Sequence, residues 1–193
     1  MASQQVIVKI PGARLSFPSL GHTESYEGRD TGRYTATLLI PKSETKLMAE
    51  IAAAMRTVER DAWGAKIPAN RISTLQDGDE KEMDGYAGCW SLKAATRRRP
   101  ILLDRHRQPV DQPHADEVFY AGCIVTASVD FSASTDSYGK HRIWCNLRGV
   151  QFVRDGERFG GGVPVNVESE FDSFTDDDGD GAGSRSTLED LLR

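Results

Sequence analysis

Six basic side chains fall within one short stretch, Lys93, Arg97, Arg98, Arg99, Arg105 and Arg107, against a single acid, Asp104. Guanidinium groups pair with phosphate oxygens at fixed geometry, and a run of them makes an electrostatic track for a polyanion. Adjacent arginines also occur on ordinary solvated loops, so this run alone names no ligand. Interleaved aromatics add what a merely basic loop lacks. Strand-like alternation from Arg142 onward puts Arg142, Trp144, Asn146 and Arg148 on one face, with Ile143, Cys145 and Leu147 on the apolar other. A tryptophan between arginines on the wetter face suits base stacking with phosphate contacts on either side. The competing reading is a Trp144 tucked under a loop. Arg33, Trp90 and Tyr26 complete the candidate nucleic-acid-binding set.

Catalytic patterns are missing. His22, His106, His114 and His141 are scattered, and neither CxxC nor HExxH occurs, so no metal site and no cofactor is expected. Asp77, Asp79, Glu80, Glu82 and Asp84 could hold magnesium as in a nuclease, although a charged turn explains them more simply. Asp176, Asp178, Asp180 and Gly181 match the opening of a calcium loop. Thr187 stands where its bidentate Glu belongs, and no helical pattern precedes it. Gly160-Gly161-Gly162 lacks the lysine of a phosphate loop and reads as a hinge.

The formal charge of −5 argues against a polyanionic ligand only until it is divided along the chain. Residues 166–193 carry nine acids and two arginines, whereas residues 1–165 hold 22 basic and 20 acidic side chains. The body is mildly basic and the extension strongly acidic. We therefore expect a folded domain over 1–165 and a disordered tail over 166–193, poor in aliphatics and rich in Gly and Ser. Phe171 and Phe174 sit among Asp176, Asp177 and Asp178 in that tail, and Leu191 and Leu192 near its end could dock on partners. The same acids could compete with DNA for the basic body at high effective concentration.

No run of 18 apolar residues suggests a membrane span, and the N-terminus lacks the pattern of a signal peptide. Cys89, Cys123 and Cys145 are odd in number and widely spaced, which reads as reduced core thiols in a cytoplasmic protein.

The elements that must position the basic and aromatic residues are short and mostly extended. Val6 to Ile10 reads as a strand stopped by Pro11-Gly12, and Ala13 to Phe17 as a second. Arg33 to Ile40 is a third. A helix follows from Glu44 to Trp63 with Ser43 as its N-cap, its apolar stripe being Leu47, Ile51, Ala54, Met55 and Val58. Residues 64–84 look irregular, Tyr86 to Thr96 returns to strand, and 97–113 is a proline-punctuated basic segment. Gly122 to Ser132 and Arg142 to Val153 make a final hairpin about the Asp136–Lys140 turn, with Gly149 marking a bulge. Short strands with one inserted helix, here between the third and fourth, indicate a mainly β, OB-fold-like small barrel.

In order along the body, the sequence resembles the bacteriophage single-stranded DNA-binding proteins of the OB-fold type. The resemblance is carried by Arg14-Leu15-Ser16-Phe17-Pro18, the Tyr34–Lys42 stretch, Asp77-Gly78-Asp79, Arg98-Arg99-Pro100 and Asp104-Arg105. Gly122-Cys123, Val129-Asp130-Phe131, Val150–Gly156 and the acidic tail continue it. It implies a protein of phage or prophage origin in the host cytoplasm that coats single strands without regard to sequence; separately, a monomer or homodimer is expected. Such a protein would act in phage replication, recombination or repair, and would recruit a polymerase or a helicase/primase through its tail. The family tail ends on an aromatic residue, whereas this chain ends Leu191-Leu192-Arg193. Strand annealing in phage recombination is the alternative within nucleic-acid biology, and the metal-dependent nuclease is the alternative from another class.

Overall fold

A computed structural model describes residues 6–160. Its strands are β1 (Ile7–Ser19), β2 (Ser25–Tyr26), β3 (Arg29–Asp30), β4 (Tyr34–Pro41), β5 (Leu75–Asp77), β6 (Cys89–Thr96), β7 (Ile101–Leu103), β8 (Ile124–Thr135) and β9 (His141–Arg154). The helices are α1 (Thr45–Trp63) and the single turn α2 (Ala115–Val118). β1 pairs with β4, β4 with β6, β8 with β1 and β9 with β8, all antiparallel. A parallel pairing of β6 with β9, through Ala94–Cys145 and Ala95–Asn146, closes the ring. The result is a five-stranded barrel of the OB type.

Period-two alternation explains which side chains fill it. Ile10, Leu15, Leu38, Ile40, Leu92, Val125, Val129, Ile143 and Leu147 point inward and are buried. The stripe expected on α1 packs as expected: Leu47, Ile51, Ala54, Met55 and Val58 are buried against β1 and β8. Cys123 and Cys145 are buried and unpaired, and Cys89 is half-buried. Burial pushes the Cys123 thiol up to about 12, and Cys145 is raised further by burial and then by the charge of Asp130, so both stay protonated at neutral pH.

Several expectations need correction. Pro11-Gly12 does not end a strand. β1 runs straight through it, with a bulge between Ile10 and Ala13 in the pairing with β8. Gly12, at φ +66°, supplies a conformation that other residues resist, and the bend lets one strand pair with β8 and then with β4. The two expected strands being one, α1 lies between the second and third barrel strands rather than the third and fourth. Ser43 is not the cap; Glu44 takes that position, and no side chain caps the helix. Tyr86 precedes its strand, which starts at Cys89, and its hydroxyl donates to Ser16 Oγ at 3.1 Å. The irregular 64–84 segment contains β5, and the basic segment contains β7.

One latch outside the barrel ring ties β5 to the end of β4. Lys42 Nζ lies 2.6 Å from both Asp77 Oδ1 and Asp79 Oδ2. Hydrogen bonds from Lys42 hold both carboxyls below the ordinary carboxylate range and raise the lysine. Lowered carboxyl values mean that this stabilisation is present above the unfolded-state pKa and is lost as pH falls through the folded-state values. Acid titration should therefore leave the latch closed through the usual carboxylate range and open it only below. Trp90, whose ring centroid lies 5.1 Å from Lys42 Nζ, should report the opening by its fluorescence.

Candidate nucleic-acid interface

The outer face of β4, β6 and β9 has a floor of small side chains. Pairing places Thr37 beside Lys93 and Thr35 beside Ala95, and Ala95 beside Asn146 across the parallel seam. Long side chains stand around this low floor, so a groove results. Three hollows that share lining residues lie in series along this face and together outline a channel. One of about 330 Å³ is bordered by Arg33, Lys81, Lys93, Arg142 and Trp144. The next, of about 260 Å³, shares Arg33, Ala95 and Trp144 with it and adds Arg97. The last, of about 550 Å³, shares Arg97 and Asn146 and is lined by Arg98, Arg99 and Arg148.

The arginine run is held by its neighbours in sequence. Ala95 pairs with Asn146 of β9, and Ile101 pairs with Gly149 of the same strand. Residues 96–100 must therefore arch over Leu147 and Arg148. The arch requires glycine at 149, because a Cβ there would lie 2.8 Å from the Ile101 carbonyl oxygen. The bulge anticipated at Gly149 falls at Arg148, since Ser128 pairs with Gly149 and Val129 with Leu147. The extra residue leaves Arg148 exposed beside Arg97, Arg98 and Arg99. Among the described residues, no carboxylate lies within ion-pair distance of these four guanidiniums.

Trp144 stands midway along the channel, half-exposed, with its indole N–H donating to Ser134 Oγ at 3.3 Å. The guanidinium carbons of Arg33 and Arg142 are each 5.7 Å from its ring centroid, near the outer limit of a cation–π contact. Contacts so loose leave the ring available to a base. Two cations of the channel also have acidic neighbours: Lys93 Nζ lies 2.8 Å from Glu24 Oε1, and Arg142 Nε lies 3.8 Å from Asp136 Oδ2.

The fold thus brings together Arg33, Lys93, Arg97, Arg98, Arg99, Arg142, Trp144 and Arg148. It does not bring the other four candidates to the channel lining. Arg105 lies with its guanidinium 5.5 Å from the Phe152 ring, and Arg107 sits in the turn after β7 at φ +65°. Trp90 packs beside the Lys42 latch, and Tyr26 is exposed on the β2–β3 hairpin. Glu24, Ile72 and Lys81 were not anticipated; they come from loops without periodicity. Thr35 and Thr37 carry a signal, their alternate positions in the strand expected over Arg33–Ile40, although that strand alone does not tell which face meets the channel. The Asp77 and Asp79 carboxylates of the nuclease alternative are occupied by Lys42. Phe171, Phe174, Asp176, Asp177, Asp178, Leu191 and Leu192 lie outside the described residues.

A closed Greek-key barrel with a cationic, tryptophan-bearing channel across three of its strands defines an oligonucleotide-binding barrel. The chain belongs to the family of the Enterobacter phage Enc34 ssDNA-binding protein, whose model matches residues 4–182. It is 40% identical over 178 residues to protein p50 of Acyrthosiphon pisum secondary endosymbiont phage 1, covering 87% of this chain and 94% of that protein. The bacteriophage Enc34 protein in complex with ssDNA superposes with a TM-score of 0.72 at 24% identity, over 83% of this chain and 96% of the other. Another structure of that protein gives 0.68 at 25% identity, over 89% and 96%. The single-stranded DNA-binding protein gp2.5 of bacteriophage T7 shares the fold at a TM-score of 0.55 and 12% identity, over 93% and 100%. The Enc34 and T7 proteins are single-stranded DNA-binding proteins and lend the nuclease alternative no support.

Proposed function

We propose that residues 1–165 bind single-stranded DNA without catalysing any reaction, tolerating any sequence, in phage replication, recombination or repair. The observation that carries this reading is the series of hollows with shared lining from Lys81 and Arg33, past Trp144, to Arg97, Arg98, Arg99 and Arg148. A single strand presents phosphates and unstacked bases together, and this channel offers cations and a ring in the same order. Family membership supports the same ligand. The protein would work in the host cytoplasm; among the described residues no helix is long and apolar enough to cross a membrane.

The decisive experiment is a titration with oligo-dT at several salt concentrations, followed by tryptophan fluorescence. Neutralising about six phosphates should give a slope of log affinity against log salt near −4. A flat response would remove the electrostatic half of the reading.

We assign the acidic extension, 166–193, the role of an intramolecular rival for the channel and of a recruiter of polymerase or helicase/primase. Deleting it is expected to tighten oligo-dT binding, most at low salt, where charge competition is strongest. Unchanged or weaker binding by the shortened chain would reject the rivalry.

A further inference from the structure

The hollow at the Arg33 end of the channel differs from the other two in its lining. Its floor is made of hydroxyls: Thr35, Thr37, Ser73, Thr74 and Ser91 all border it. Trp144 and Ile72, the latter 44% exposed, both border it, and Ile72 bridges β9 at Arg142, two residues before Trp144. Ile72 is fixed to the barrel, since its N–H donates to the His141 carbonyl at 2.9 Å and Ile143 N–H donates to the Ile72 carbonyl at 2.9 Å. At its mouth, Lys93 Nζ and Glu24 Oε1 place a donor and an acceptor 2.8 Å apart.

One atom of this lining is unexplained by the fold. Thr74 Oγ1 is buried and has no hydrogen-bond partner among the described residues. A buried hydroxyl without a partner is costly and calls for an explanation, and a bound molecule that supplies the partner is one.

We infer that this recess is a base-reading subsite: one nucleobase of the bound strand turns out of the channel, packs against Trp144 and Ile72, and sets its polar edge against the threonine and serine hydroxyls. The inference rests on the single-strand reading above. Arg33, Lys81, Lys93 and Arg142 also border the recess and would hold the phosphates on either side of the base, which leaves the neutral hydroxyls to its polar edge. An aromatic and an apolar side chain, several hydroxyls and a volume of about 330 Å³ suit a flat ring with donors and acceptors on its rim. Most of the channel holds backbone and stacked rings indifferently, but this position tells bases apart. Affinity for single strands therefore carries a base-dependent factor, added to the uniform electrostatic one.

The test uses the full chain, with equal-length oligo-dT, oligo-dC, oligo-dA and an abasic phosphodiester strand as probes. Thr37→Val and Thr74→Val each remove a hydroxyl at nearly constant shape. Each is expected to weaken binding of the homopolymers by unequal factors, differing by about fivefold between the most and least affected, as one lost hydrogen bond would give. Affinity for the abasic strand should not change. Thr74→Val should also hold or raise the thermal midpoint of the free protein, which separates lost reading from lost folding. An equal loss on all three homopolymers, or no loss on any, overturns the inference while leaving single-strand binding standing. Failure of the unmodified chain to bind any of the probes would instead overturn the single-strand reading itself.

Discussion

Replacing Arg97, Arg98 and Arg99 together with alanine is expected to weaken single-strand binding by roughly several hundred-fold at about 50 mM salt, and to flatten the salt slope by about 2. Each phosphate neutralised on a single strand contributes about 0.7 to that slope, so three lost contacts remove about 2.1. The size of the effect follows from the arch. All three side chains are exposed, and among the described residues none has a carboxylate within ion-pair distance. Their loop is held at both ends by β9, so little ordering is needed when the strand arrives. Exposed arginines of this kind contribute little to folding, and the unfolding free energy should change by no more than about 0.5 kcal/mol per substitution. The triple lysine variant should keep the slope but lose affinity, because an ammonium cannot make the paired contact of a guanidinium. A slope that stays unchanged in the alanine variant would place the DNA elsewhere on the barrel.

The second large effect belongs to Trp144. Trp144→Ala is expected to weaken oligo-dT binding by about 1–3 kcal/mol per stacked base, or about 5- to 150-fold, without changing the salt slope. The domain should remain folded, since the side chain lies on the outer face and its one polar bond goes to Ser134. Trp144→Phe should recover most of the binding and lose the quenching that DNA causes. The other two tryptophans are engaged away from the channel, Trp63 with Thr135 Oγ1 at 3.1 Å and Trp90 beside Lys42. A variant that unfolds at room temperature would show that Trp144 is part of the core, and the stacking role would fall.

Periodicity made much of this legible. The alternation in Arg142–Leu147 located the outward and inward faces of β9 correctly, and the stripe of α1 named its buried residues. Both are local signals that depend only on the pitch of one element. What stayed hidden depends on how elements approach one another. Pro11-Gly12 reads as a stop in isolation, yet with β8 alongside it becomes a bulge. Arg105 and Arg107 look equivalent to Arg97–Arg99 along the chain. The β7 pairing with β9 intervenes between them and carries the later pair away from the channel. Trp90 has the same outlook as Trp144 by residue type, but its phase in β6 and the position of Lys42 take it to the latch. Glu24, Ile72 and Lys81 reach the channel only because their loops fold over the sheet.

The barrel closes through a short parallel pairing, Ala94 with Cys145 and Ala95 with Asn146, whereas the neighbouring antiparallel ladders run the length of their strands. That junction lies directly beneath the channel, with Lys93 and Arg97 on one bank and Trp144 and Arg148 on the other. A polynucleotide laid across it would act as an external suture, bridging two edges that few backbone bonds connect. Ligand and closure would then reinforce each other: the occupied protein resists heat and proteolysis because its thinnest join is clamped, and an opened barrel cannot hold its strand.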